Sequence, residues 1–220
     1  MVINKARIIM LSVLLGLGLS IAQAGMPHGN TDFQFETGDV IAHTSQSSQS
    51  TMIQIGTMSK YSHVGIVIVK NGKAYVLESL STTKISTVDS FIDRGKNDDY
   101  TVYRYGDWVD GHVNWQTGLT DVQKKKLKAS VRKYEGKRYD LAFKWSDDKI
   151  YCSELVWKMY EDIEIELSKP KKMKNFPLWI PKFKQVMEKR WGGKVNKEEL
   201  VVSPKDIVKS GKLHRVHGTY

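Results

Sequence analysis

Residues 62–78 read SHVGIVIVKNGKAYVLE, and this stretch is the clearest β-hairpin signal in the chain. An apolar, β-branched run comes first, and a second apolar run follows Asn71-Gly72, the pair that favours a two-residue type I′ turn. With this turn Lys70 pairs with Lys73, and the pairing carries back along both strands. Residues 63, 65, 67 and 69 then share one face with residues 74, 76, 78 and 80. The hairpin therefore predicts antiparallel strands in a defined register.

His63 and Glu78 lie on that shared face as diagonal neighbours, within reach of a long carboxylate side chain. A carboxylate that binds one imidazole nitrogen fixes the tautomer and leaves the other nitrogen for a nucleophile. Gly65 lies between the two residues and is expected to leave room above the sheet. A lone histidine at a strand start is more often structural, and a lone glutamate on a hairpin is usually solvated. Their coincidence on one face favours a catalytic histidine with its carboxylate.

Cys152 is the only cysteine in the chain, so it cannot close an intramolecular disulfide. Leu155, Val156 and Met159 continue its face at helical spacing, which places the sulfur in the first turn of a helix. The positive end of the helix dipole favours thiolate there. A buried filler residue is the alternative. The position favours a reactive, accessible thiol of low pKa, with His63 as its general base.

The first 24 residues have the pattern of a secretory signal peptide. Lys5 and Arg7 precede an apolar stretch that ends at Ala22-Gln23-Ala24. The sequence therefore predicts cleavage after Ala24, a periplasmic or secreted protein, and a single domain over residues 25–220. An uncleaved N-terminal anchor is the alternative.

The charge and the motifs narrow the classes of partner. Removing residues 1–24 takes away two of the 34 basic residues and none of the 24 acidic ones, which leaves a net charge of +8. In an exported protein this charge favours anionic wall polymers or lipid headgroups over nucleic acid. No CxxC, HxxxH or phosphate-binding glycine loop is present, so we expect neither a metal nor a cofactor.

The order of the elements favours an α+β fold. Strand signals dominate up to Tyr105, and helix signals follow, instead of alternating with them. One helix is predicted to begin at Thr120, whose side chain and Gln123 make a capping box, and to end at Gly136. A second helix is predicted to begin near Cys152. We expect a small antiparallel sheet flanked by helices.

The chain resembles the circularly permuted papain-like hydrolases, more narrowly the YiiX/YaeF branch of the NlpC-type cell-wall cysteine hydrolases. In that branch histidine precedes cysteine, the reverse of papain. The resemblance covers roughly residues 33–210 and implies a small antiparallel sheet, with the nucleophile on a flanking helix. It assigns the catalytic roles to Cys152, His63 and a polar third residue, which here is Glu78. The matching segments are Thr37-Gly38-Asp39-Val40-Ile41, Ser62-His63-Val64-Gly65-Ile66, Tyr75-Val76-Leu77-Glu78, Trp145-Ser146-Asp147-Asp148, Tyr151-Cys152-Ser153-Glu154-Leu155-Val156 and Val202-Ser203-Pro204.

The predicted reaction is acyl transfer through a thioester on Cys152. The backbone N–H of Cys152 is the first candidate oxyanion donor, and the hydroxyls of Tyr61 and Tyr151 are further candidates. Export and positive charge favour an amide of a cell-wall peptide, or of a wall-tethered protein, as substrate. The alternatives are a lipid-directed thiol acyltransferase or esterase, and a lipid-binding protein that hydrolyses nothing.

Residues 169–194 form a basic and aromatic segment with nine Lys or Arg residues and the single acid Glu188. The simpler interpretation is an insertion that packs its aromatic rings on the core and solvates its charges. The functional interpretation is a flap beside the catalytic cleft that docks on an anionic membrane surface.

Overall fold

The described residues form ten strands, which pair in antiparallel sheets. The computed structural model describes residues 33–109, 112–114 and 118–219. The strands are β1 (Val40–His43), β2 (His63–Lys70), β3 (Lys73–Ser79), β4 (Thr83–Thr87), β5 (Thr101–Tyr105), β6 (Asp107–Val109), β7 (His112–Asn114), β8 (Lys171–Lys172), β9 (Leu200–Val201) and β10 (Leu213–Gly218). Six of them form one antiparallel sheet in the order β10-β5-β1-β2-β3-β4. The pairs β6–β7 and β8–β9 form two small sheets.

The helices follow the predicted order. They are α1 (Ser50–Thr57), α2 (Val88–Ile92), α3 (Asp121–Tyr134), α4 (Cys152–Glu161), α5 (Pro181–Trp191) and α6 (Pro204–Val208). Thr120 caps α3 as predicted: its hydroxyl accepts from the backbone N–H of Gln123, whose side chain accepts from the N–H of Thr120. The helix that was predicted near Cys152 begins at that residue. The expected α+β class with an antiparallel sheet and flanking helices is confirmed.

The β2–β3 hairpin has the predicted register. The ladder runs from Lys70 opposite Lys73 to Ile66 opposite Leu77. Asn71 and Gly72 have φ values of 49° and 72°, as a type I′ turn requires. No bulge interrupts this ladder, so the two strands keep the alternation on which the predicted His–Glu pair depends.

Alternate residues of β2 pack into two separate cores. Val64, Ile66 and Ile68 belong to the larger core, which includes the buried face of α4. Val67 belongs to a smaller core on the other face, together with Phe91 of α2. The sheet is therefore covered on both faces at β2, the strand that begins with His63.

Three further histidines lie in strands. His112 begins β7, and His214 and His217 lie in β10. The ring of His217 is hydrogen bonded with the Tyr100 hydroxyl at 3.0 Å, which helps to hold the last strand. The predicted signal peptide lies outside the described residues. Within the part of the chain that is described, no helix has the length and apolar character needed to cross a bilayer.

Candidate active site

Cys152 is the first residue of α4, and three donors surround its sulfur. They are the His63 ring, the backbone N–H of Val64 and the Tyr139 hydroxyl, whose oxygen lies 4.0 Å from Sγ. The expectation of an openly accessible thiol is wrong, because the residue is only 2 % exposed. Its sulfur is instead approached through a pocket that it helps to line. The position at the helix N-terminus adds the positive end of the dipole to these donors.

His63 and Glu78 make the predicted contact across the hairpin. Nε2 of His63 lies 2.8 Å from Oε2 of Glu78, and both side chains are buried. Since Nε2 is engaged by the carboxylate, Nδ1 is the nitrogen left for the thiol of Cys152. The structure thus brings together the three residues that the sequence selected, in the order nucleophile, imidazole and carboxylate.

Arg94, which the sequence analysis did not select, holds the other end of Glu78. Its Nη2 donates to Oε1 of Glu78, while its Nη1 donates to the Ser90 hydroxyl at 2.7 Å. Burial raises the pKa of Glu78, but the His63 hydrogen bond and charge, with the contacts to Ser86 and Arg94, bring the net pKa below its ordinary value. Glu78 is therefore an ionised carboxylate with both oxygens engaged.

The thiol and the imidazole shift each other toward the charged forms. Burial lowers the pKa of His63, but its hydrogen bonds and charge interactions with Cys152 and Glu78 raise it to about 9. Burial raises the pKa of Cys152, but the contacts with His63, Val64 and Tyr139 lower it by more. The pKa of Cys152 is therefore below its ordinary value. Both directions favour a thiolate–imidazolium pair, the form that attacks a carbonyl.

A second buried histidine, also missed at the sequence level, lies beside this pair. His43 is opposite His63 in the β1–β2 ladder, and the two ring centroids are 5.3 Å apart. Its ring stacks on Phe91 at 4.4 Å. Burial first, and then the charges of His63 and Arg94, lower the pKa of His43 to about 2. This residue therefore stays neutral and acts as part of the wall around the charged pair.

The space expected above Gly65 is filled. A Cβ at this position would lie 2.4 Å from Val76 and 3.3 Å from the ring of Phe91. Phe91 also stacks against His63, with centroids 5.4 Å apart. The glycine therefore allows close packing behind the imidazole instead of leaving open room above the sheet.

The three candidate oxyanion donors have different surroundings. The hydroxyl of Tyr61 is hydrogen bonded with Thr101 and Tyr103 on β5, and β1 and β2 separate β5 from the Glu78 strand. This hydroxyl is therefore already engaged by side chains of β5. Tyr151 lies next to Cys152 and lines the pocket, but its hydroxyl accepts the N–H of Val202 at 3.1 Å.

Tyr139 is the tyrosine whose hydroxyl reaches the sulfur. Burial and the charge of Cys152 raise its pKa well above the ordinary value of 10.0, so it remains a neutral phenol that donates a hydrogen bond. It lies in the irregular segment between α3 and α4, where no spacing rule points to it. The backbone N–H of Cys152, in the first turn of α4, keeps the place predicted for it.

A pocket with an empty volume of about 560 Å³ opens beside Cys152. Helices α1 and α5 form facing walls, and they approach closely at Gly56, where a Cβ would lie 2.5 Å from the ring of Phe183. Apart from the Cys152 thiolate, Arg190 is the only charged residue in the lining, all of which the structure describes. The apolar and aromatic lining residues are Met52, Ile53, Tyr139, Phe143, Tyr151, Met173, Phe176, Phe183, Val186, Met187, Val201, Val202 and Pro204.

Metal-ligating side chains are not grouped in this region. Among the described residues there is no set of three or more His, Cys, Asp and Glu side chains placed to hold a metal ion. The two histidines near the thiol each have another role, since His63 binds Glu78 and His43 stacks on Phe91.

Comparison with known proteins identifies the family. Residues 34–217 match the family model of the permuted papain-like amidase enzymes, YaeF/YiiX, C92 family. An uncharacterized protein of Escherichia coli strain K12, YiiX, is 37 % identical over 185 residues, which cover 84 % of this chain and 87 % of that protein.

A crystal structure of yiiX from Escherichia coli O157:H7, described as a metalloprotein, superimposes with a TM-score of 0.76 at 36 % identity. The match covers 86 % of this chain and 99 % of that one, and the description as a metalloprotein concerns the E. coli protein. The permuted order, with the histidine strand before the cysteine helix, agrees with these matches. The chain is a cysteine hydrolase that belongs to the C92 family of permuted papain-like amidase enzymes.

Proposed function

We propose that this protein is an exported amidase that cleaves its substrate through a thioester on Cys152. The observation that carries the proposal is the buried line of contacts from the sulfur through His63 to Glu78. Each member of the line favours the charged form of the next one, so the nucleophile is ionised before substrate arrives.

The first half-reaction forms the thioester. The thiolate of Cys152 attacks the carbonyl carbon, an S–C bond forms, and the C–N bond of the amide breaks. The imidazolium of His63 gives its proton to the leaving nitrogen, which departs as an amine. Glu78 stays ionised and stabilises the imidazolium until that transfer.

The second half-reaction restores the enzyme. Neutral His63 takes a proton from water, and the hydroxide formed attacks the thioester carbon. The C–S bond breaks, the acid leaves, and the thiolate–imidazolium pair is regenerated. The negative oxygen of both tetrahedral intermediates is stabilised by the N–H of Cys152 and by the Tyr139 hydroxyl, whose oxygen lies 4.0 Å from the sulfur.

The first substrate class is the amide of a cell-wall peptide or of a wall-tethered protein. The basic charge and the predicted export support it. The apolar pocket supports a second class, a lipid amide or ester whose acyl chain lies between α1 and α5. Both classes use the same thioester chemistry, and they differ in the group that occupies the pocket.

A substrate panel tests the proposal. Purified protein is incubated with wall muropeptides, with N-acyl amino acid amides of increasing chain length and with phospholipids, and the products are identified by mass spectrometry. Brief acid quenching should trap an acyl group on the peptide that contains Cys152. Cys152→Ser keeps the shape of the site but lacks the low-pKa thiol, so turnover should fall by at least about a thousandfold.

The relative rates of cleavage within the substrate panel identify the substrate class. Faster cleavage with longer acyl chains supports the lipid class, and cleavage of muropeptides alone supports the wall class. Unchanged turnover in Cys152→Ser, or the absence of any acylated Cys152 with every substrate that is cleaved, would refute the thioester mechanism.

A further inference from the structure

Two exposed apolar residues, Met58 and Leu141, adjoin residues that line the catalytic pocket. Five large apolar residues are exposed among those that the structure describes, and Trp179, at 69 %, is the aromatic one. Met58 is 61 % exposed and directly follows Thr57, which lines the pocket. Leu141 is half exposed, and its carbonyl accepts from Arg190, another lining residue. Apolar surface of this kind near a pocket mouth is a common mark of an interaction site.

Trp179 lies in a groove in which four of the nine lining residues are lysines. The groove has an empty volume of about 1280 Å³ and contains a single acid, Glu188. We name its basic and apolar part the lysine–tryptophan platform, which consists of Lys174, Leu178, Trp179, Lys184, Lys194 and Lys197.

Two of these lysines have free charges. Lys174 is paired with Glu198 at 2.8 Å, and Lys184 is 3.7 Å from Glu188. Lys194 and Lys197 have no ion pair within the described part of the chain, and both are exposed. The platform therefore presents uncompensated positive charge next to an exposed indole ring.

The platform and the catalytic pocket share a wall. Phe176 lines both the basic groove and the apolar pocket that contains Cys152. Its ring is buried between them. The Phe176 side chain therefore separates a molecule bound on the platform from the interior of the catalytic pocket.

We propose that the lysine–tryptophan platform docks the protein on an anionic phospholipid bilayer. Lysine ammonium groups bind the negative surface, and an indole ring prefers the headgroup boundary, where its apolar body and its N–H are both satisfied. Apolar area at the same boundary comes from the exposed Met58 and Leu141 and from the half-buried Leu178. Docking in this way brings the pocket mouth to the source of apolar acyl chains. The proposal does not depend on catalysis, because it concerns binding alone.

A second basic surface in the same chain provides the matched control. Helix α3 exposes Lys125 and Lys128, but none of its exposed residues is aromatic. A double substitution there changes the net charge by the same amount as a double substitution on the platform. If net charge alone drives vesicle binding, the two double variants should bind equally weakly. If the protein docks through the platform, only the platform variant should lose binding.

Vesicle sedimentation tests the proposal with the mature protein, whose N-terminus is first established by mass spectrometry. Binding is measured to phosphatidylglycerol-containing and to pure phosphatidylcholine vesicles, at about 0.05 M and about 0.5 M salt. Wild type should bind the anionic vesicles and lose most of this binding at high salt. Lys194→Gln with Lys197→Gln should weaken binding roughly 30-fold, or about 2 kcal/mol. Lys125→Gln with Lys128→Gln should change it less than about threefold.

Trp179→Ala separates the apolar contribution from the charge. It should weaken binding about tenfold at both salt concentrations, whereas Val122→Ala, at a similarly exposed position, should have no effect. Equal losses in the two lysine double variants, or binding that ignores lipid charge, would overturn the proposal. Since the assay measures only binding, its failure leaves the thioester mechanism intact, and failure of the mechanism leaves docking intact.

Discussion

The substitution Glu78→Gln removes the negative charge of the buried carboxylate and leaves the position of the side chain unchanged. The glutamine amide has the same shape, and its oxygen still accepts from Nε2 of His63, so the ring keeps its orientation. The negative charge that stabilises the imidazolium is lost. Arg94, which is now bound to Glu78, is left with its positive charge uncompensated near the ring.

The size of the effect follows from the pKa of His63. A value of about 9, against an ordinary 6.5, corresponds to roughly 3 to 4 kcal/mol in favour of the imidazolium, at about 1.4 kcal/mol per pKa unit. Glu78 and Cys152 are the two negative partners in contact with the ring. Removing one of them should lower the His63 pKa by about one unit or more. The pKa of the Cys152 thiol should rise by a similar amount, since its main stabilising partner loses charge.

The pH dependence of alkylation measures this shift directly. Cys152 is the only thiol in the chain, so mass spectrometry of iodoacetamide-treated protein reports one site without separation of peptides. The inflection of the labelling rate should lie below the ordinary 9.0 in wild type and about one unit higher in Glu78→Gln. Glu161→Gln, at the exposed end of α4, is the matched control and should not move it.

An unchanged inflection in folded Glu78→Gln would refute this electrostatic account. It would mean that the helix terminus, Val64 and Tyr139 ionise the thiol without help from the carboxylate. Circular dichroism on the same samples establishes that the variant is folded.

Three further outcomes are expected. The value of kcat/KM should rise with pH through the lowered pKa of Cys152 and fall near pH 9, where His63 loses the proton that the leaving amine requires; a profile that is still rising at pH 10 would contradict this role. Gly56→Val should push against Phe183, narrow the pocket and reduce turnover of long-chain but not short-chain substrates, as measured across the acyl series; equal losses for all lengths would place the acyl group elsewhere. Tyr139→Phe should lower kcat by about tenfold or more with little change in KM, and an unaffected kcat would remove its hydroxyl from the oxyanion site.

The part of the site that the sequence predicts is the part fixed by local rules. Asn71-Gly72 sets the turn, the turn sets the register, and the register places His63 and Glu78 on one face. The start of α4 at Cys152 follows from apolar spacing in the same way. These relations involve neighbours in the chain or residues that one turn connects, so a pattern in the sequence is enough to find them.

The missing residues come from contacts between distant segments. Tyr139 reaches the sulfur from an irregular loop, and Arg94 reaches Glu78 from the turn that follows α2. His43 comes beside His63 only because β1 pairs with β2. The filling of the space at Gly65 by Phe91 likewise depends on how α2 folds over the sheet. No periodic pattern in the sequence indicates these contacts, because they depend on how distant segments pack together.

The last strand has a consequence for the time at which the enzyme becomes complete. β10 pairs with β5, and Tyr100 and Thr219 exchange two hydrogen bonds next to that pairing. Until residues 213–219 have been synthesised, β5 is an open sheet edge that another chain can join. The His63 hairpin is able to fold early because its contacts are local, whereas closure of the sheet waits for the end of translation. A ribosome-bound chain therefore carries the nucleophile before its sheet is closed.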